Sequence, residues 1–167
     1  MSIIHELGRA VRARRLEIGL TQARVATLSG LSRQTINAVE TSAVPDLGLN
    51  KAERLASVLG LTLQIADGRA MPATRRRMTP LARAAATAGV SYRTTISAAR
   101  LKRILTTGRL PGAYEPHLHA LLDDAPMSLL AAVADQLRDE ARIERSDVWA
   151  IYREFSRQVK SLRDIWQ

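Results

Sequence analysis

The chain contains no cysteine, which excludes disulfide staples, thiolate metal sites and thiol redox chemistry. Aromatic residues make up only 4% of it. That is few for a sandwich or barrel, whereas the abundant aliphatic and alanine residues suit packed helices. No apolar run approaches the roughly 18 residues that a membrane span needs. The opening MSIIHELGRAVRARR is amphipathic and lacks a signal-peptide apolar block. A cytoplasmic protein without membrane contact is expected.

Catalytic signatures are missing too. There is no glycine-rich phosphate loop, and no Ser/His/Asp grouping stands in a recognisable context. The histidines are His5, His117 and His119. His119 meets Glu115 or Asp123 one helical turn away, but His117 and His119 are two apart and face different sides of a helix. Asp123 and Asp124, just before Pro126, read as helix-end and turn chemistry. The expectation is a non-enzyme with no metal and no cofactor.

Acidic residues vanish from one stretch. Residues 68–110 hold ten Lys/Arg and no Asp/Glu, so the whole excess behind the net charge of +9 sits in the middle of the chain. A block of this kind reads as a polyanion-binding surface, most often for nucleic acid, or as an arginine-rich solvated linker and helix face.

The 167 residues suffice for one medium or two small domains. Ile3, Ile4, Leu7, Val11 and Ile18 recur at helical spacing, which predicts a helix from Ser2 to Ile18, capped by Ser2 and stopped by Gly19. Thr21 caps a second helix through Leu28 closed by Gly30, and Ser32 caps a third through Glu40. TSAVPD forms a loop, and a fourth helix over 49–59 ends at Gly60. LTLQIAD, 61–67, alternates: Leu61, Leu63 and Ile65 share one face, as in a short strand. A single strand forms no sheet. It is either an extended tail or pairs with its copy in a symmetric dimer.

GRAMPATRRRMTP marks the boundary, so the expected division is a first domain over 1–67, a basic linker over 68–79 and a helical domain over 80–167. The last contains helices over 80–88, 97–107, 116–123, 126–143 and 146–166. The final one carries Trp149, Tyr152, Phe155 and Trp166 on a wide apolar stripe, the keystone of a second bundle. The fold class is all-α, a helical bundle with a short closing strand followed by a second bundle.

Within the first bundle Leu31, Ile36 and Val39 point inward, leaving Arg33, Gln34, Asn37 and Ala38 facing outward from the third helix. Such a surface matches base edges in a major groove: arginine for guanine, amides for adenine, an alanine methyl for thymine. Thr21 and Gln22, with Ser32 at the amino terminus of the third helix, are placed to hold phosphate oxygens.

Arg15, Gly19, Leu20, Thr21, Gln22, Val25, Ala26, Gly30, Leu31, Ser32, Thr35, Ile36, Val39 and Glu40 together resemble the Xre/Cro/CI-type helix-turn-helix regulators over about residues 3–66. The resemblance implies a phosphate contact from Gln22, base contacts from Arg33, Gln34 and Asn37, and further backbone contacts from Thr41, Ser42 and Lys51. It also implies a structural ion pair between Arg15 and Glu40. Ser42 stands where that family commonly has glycine. The closing LGLTLQI resembles the HipB-type antitoxin regulators, whose strand in this position pairs across a dimer.

ARAAATAGVSYRT, 82–94, aligns with ARVATLSGLSRQT, 23–35, and keeps the Gly-apolar-Ser turn. It is a candidate second module, although Ile96 falls one place late relative to Ile36. Arg75, Arg76, Arg77, Arg93, Arg100, Lys102 and Arg103 are candidates for further phosphate contacts, or for capture of an acidic partner.

The expected function is a dimeric, sequence-specific DNA-binding regulator, a repressor on a palindromic double-stranded operator. Its carboxy-terminal bundle would bind a partner protein such as a cognate toxin. Ligand sensing through an effector pocket in that bundle, and architectural DNA binding, are the alternatives.

Overall fold

The computed structural model describes residues 3–64, 78–89 and 95–166. Among these the chain is all-helical, with no strand. Four helices come first: α1 (Ile3–Ile18), α2 (Gln22–Ser29), α3 (Arg33–Glu40) and α4 (Leu49–Val58). Five follow: α5 (Pro80–Gly89), α6 (Ala98–Thr107), α7 (Glu115–Asp124), α8 (Met127–Ala141) and α9 (Arg145–Gln158). Single 3-10 turns lie at Gly112–Tyr114 and Asp164–Trp166.

Local chemistry sets most of the ends. The Thr21, Ser32 and Ser97 hydroxyls each accept a hydrogen bond from the backbone N–H three residues on, at the starts of α2, α3 and α6. The expected cap at Ser2 lies outside the described residues.

Two ends differ from the expectation. α8 stops at Ala141, where Arg142 turns left-handed at φ 57°. α9 ends at Gln158 instead of running to 166, because Lys160 turns left-handed at φ 55° and sends the chain back over the bundle. There the Arg163 Nη1 donates to the carbonyl oxygens of Leu122 and Ala125 at 3.2 and 2.6 Å, and Trp166 Nε1 donates to Leu122 at 3.2 Å. These bonds satisfy the open carbonyls at the end of α7. Leu162, which a helix continued to 166 would have carried on its apolar stripe, is consequently 79% exposed.

The expected strand is not assigned in Leu61–Gln64; Ile65 to Asp67 lie outside the described residues. Leu61 is half-buried against the core and Leu63 is exposed. A lone strand has no ladder partner within one chain, so propensity alone does not produce one.

Buried side chains of both halves form one continuous cluster, from Val11, Val25 and Ile36 through Leu118 and Leu130 to Trp149 and Phe155. α9 packs on α1, and α4 on α8. Trp149 and Tyr152 meet edge to face, their ring centroids 5.3 Å apart. Polar contacts seal the junction. Arg145 reaches Glu17 of α1 at 3.3 Å and Asp135 of α8 at 3.1 Å. The Arg24 guanidinium on α2 donates to the carbonyl of Asp164.

Candidate nucleic-acid interface

α2 and α3 are joined by a three-residue turn. Gly30, at φ 65°, adopts the left-handed conformation that ends α2, and its N–H closes on Thr27. Leu31 N–H returns to Ala26, and Ser32 then starts α3. Val25, Ile36 and Val39 are fully buried beneath the turn, which holds the two helices at a set angle.

α1 braces α3 from behind. A Cβ on Gly8 would stand 2.2 Å from the carbonyl oxygen of Val39, so only glycine permits this close approach. Arg15 forks onto Glu40, with Nε 2.6 Å from Oε1 and Nη2 2.9 Å from Oε2, while Nη1 reaches the Leu20 carbonyl at 2.9 Å. Burial alone would push the Glu40 carboxyl up; hydrogen bonds from Arg15 and Gln22 outweigh it and hold the group below its ordinary range. The same fork raises Arg15.

What α3 turns outward is polar. Arg33, Gln34 and Asn37 are exposed and Ala38 is half-buried beside them. Among the described residues no segment of the carboxy-terminal half buries Arg33, Gln34 or Asn37. A guanidinium, two amides and a methyl on a helix eight residues long have the donors, acceptors and size to meet base edges in a major groove.

Around this surface the other candidates fare differently. The Thr21 and Ser32 hydroxyl oxygens serve as helix caps, which uses an acceptor lone pair. Thr41 spends its hydroxyl proton on the Asn37 carbonyl at 2.8 Å. Lys51 is exposed in the first turn of α4. Ser42 sits at φ 58°, so the chain keeps the left-handed turn for which glycine is the usual residue.

The basic block is only partly brought to this surface. Arg75, Arg76, Arg77 and Arg93 lie outside the described residues. α6 packs mainly on α5, α8 and α9. On it Arg100 stacks over the Tyr114 ring at 5.8 Å, Lys102 pairs with Glu140 at 2.7 Å, and Arg103 is exposed. The candidate second module differs from α2 and α3: the chain from Thr95 to Ser97 is non-helical, Ile96 is buried there, and α6 begins only at Ala98. Residues 90–94 lie outside the described residues.

His119 Nε2 lies 3.4 Å from Asp123 Oδ2, while His117 is buried on another side of α7. Among the described residues no group of three or more metal-ligating side chains converges. No helix among them is long and apolar enough to cross a membrane.

Residues 11–65 match the helix-turn-helix family model. The match contains the whole α2–turn–α3 unit and its Arg15–Glu40 brace. It supports the class of sequence-specific, DNA-binding transcription regulators, a family that is typically non-enzymatic. No curated protein and no solved structure matches the chain.

Sequence reasoning found the helix-turn-helix but missed three things that shape it: Gly8, the hydrogen bond between Gln22 and Asn37, and the docking of α9 on α1. A lone glycine inside an amphipathic helix was the one available signal, since it marks either a defect or a close approach.

Proposed function

We propose that this protein is a cytoplasmic transcriptional repressor that binds a two-fold symmetric operator as a homodimer, with one α3 in each of two successive major grooves. The observation that carries the reading is the exposure of Arg33, Gln34 and Asn37 on a short helix whose other face is locked by Ile36, Val39 and Glu40. Thr21, Ser32, Thr41, Ser42 and Lys51 flank that helix and would contact phosphates through hydroxyl, ammonium and backbone N–H groups. Residues 61–67, with Leu61 and Leu63 at their described end, are the proposed dimer strand.

The helices after residue 80 serve as the control element and bind a partner protein, in the manner of an antitoxin that engages both a toxin and a promoter. Their packing on α1 and α4 supports this role, since a partner seated on them touches the body that carries the reader. Ligand sensing is the second reading. An open groove of about 1210 Å³ favours it, bounded by Leu7 and Leu28 on one side and by Met127 and Ile165 on the other. This groove lies at the junction of the two halves, outside the bundle core where the effector pocket was expected.

Selection from random duplex DNA, followed by binding to the enriched and a scrambled duplex, tests the reading. An enriched near-palindromic site bound at least about ten-fold tighter than the scrambled one is expected, since specific and non-specific affinities differ by far more. Equal affinity for both would assign the protein to the architectural class.

A further inference from the structure

The groove of about 1210 Å³ at the junction of the two halves is apolar at its base. Leu7 of α1, Ala56 of α4, Met127 at the start of α8 and Ile165 in the last 3-10 turn line it and are buried, and Leu28 of α2 lines it half-buried. Side chains of this kind make up most of the lining of small-molecule sites.

The charges around this base run against those of the chain. The protein carries +9, yet among the described residues the groove is lined by three carboxylates, Glu6, Glu53 and Asp164, and by one cation, Arg163. All three acidic residues are exposed, and none is in an ion pair with a described residue. Arg163 gives its Nη1 to the carbonyl oxygens of Leu122 and Ala125, which holds its guanidinium at the end of α7. An apolar base disfavours a hydrated inorganic ion, and unpaired carboxylates disfavour an anion. What both favour together is a positive charge on an apolar body, such as a quaternary ammonium or phosphonium.

We propose that this groove binds a lipophilic organic cation and that its occupancy is coupled to the helix-turn-helix through α2. Arg24 and Leu28 stand one turn apart on α2. Leu28 lines the groove, and Arg24 donates to the carbonyl of Asp164, the neighbour of Ile165. An occupant resting on Leu28 and Ile165 therefore bears on the contact that ties α2 to the far half, and α2 leads through the Gly30 turn into α3. This regulatory part rests on the ligand-sensing reading of the groove.

Calorimetric titration of the full chain with tetraphenylphosphonium and with tetraphenylborate, alike in shape and opposite in charge, tests the site. The cation is expected to bind at least about ten-fold tighter, since each exposed carboxylate contributes up to about five-fold, even though the net charge of +9 favours the anion. Glu6→Gln combined with Glu53→Gln should lower cation affinity by about five- to ten-fold and leave the anion no weaker. A damaged fold would weaken both probes. At saturating cation, affinity for the selected duplex is expected to change by at least about five-fold, the lower scale of coupling between sites. Arg24→Ala should remove that change while the cation still binds.

Equal or tighter binding of tetraphenylborate, cation binding that the double variant leaves intact, or binding of neither probe would overturn the proposal. Neither probe binding, in a dimer that Leu63→Glu dissociates, would give the groove to a second copy of the chain. The ligand-sensing reading fails separately: the cation binds with the expected selectivity and duplex affinity stays unchanged. An anion that binds and shifts duplex affinity keeps ligand sensing and sinks the cation site.

Discussion

Arg153 of α9 donates a hydrogen bond to the carbonyl oxygen of Ile18, the last residue of α1. A side chain from the far half of the chain thus satisfies an open helix end in the half that carries the helix-turn-helix. With Arg24 on the carbonyl of Asp164 and Arg145 on Glu17, the junction is tied by three arginines.

Arg153→Ala is therefore expected to lower stability by about 1.5 kcal/mol, the scale of a hydrogen bond made by a charged donor. Urea unfolding would measure it. A change within error would mean that the contact contributes nothing to the joint.

The shared core predicts that residues 1–67, expressed alone, unfold at a lower temperature than the same segment in the full chain. Removing α8 and α9 uncovers the faces of α4 and α1 on which they pack, and burial of one apolar side chain there is worth about 1.5–3 kcal/mol. Equal melting temperatures by circular dichroism would show the two halves to be energetically independent.

Glu40 makes stability pH-dependent in a definite direction. Its folded pKa lies below the ordinary 4.5, so in acid the unfolded chain takes up the proton first. The stabilisation is complete above that value and is lost as pH falls through the folded pKa. Unfolding midpoints between about pH 3 and pH 6 should fall less steeply for Glu40→Gln than for the native chain. At neutral pH Glu40→Ala is expected to cost about 3 kcal/mol, because it leaves Arg15 without its partner.

Two backbone positions predict opposite signs. Ser42→Gly relieves a left-handed residue at φ 58° and should raise stability by up to about 1 kcal/mol, the strain relief being partly offset by the extra freedom of glycine when unfolded. Gly8→Ala drives a methyl into the Val39 carbonyl and should lower it by about 1–3 kcal/mol. Thermal melts of the two variants would show both.

Arg33→Ala should weaken binding to the selected operator by about 1–3 kcal/mol and relax preference at one base position, with little effect on melting temperature because the residue is exposed. Fluorescence anisotropy at fixed salt would read it.

The helix-turn-helix was legible because its determinants are local. Thr21, Gly30 and Ser32 act on backbone groups within a few residues, and the spacing of Val25, Ile36 and Val39 places them on one inner surface. Composition and hydrophobic periodicity were enough for the all-helical class and for the exposure of Arg33, Gln34 and Asn37. What required the tertiary structure joins distant parts of the chain. Periodicity carried α9 through to 166, yet the Leu122 carbonyl, some forty residues earlier, draws Arg163 and Trp166 back and exposes Leu162. The grip of Gln22 on Asn37 and of Arg153 on Ile18 was invisible for the same reason. Spacing along one helix determines which face is apolar. Which donor meets which acceptor depends on how separate helices are brought together, and no local pattern encodes that distance.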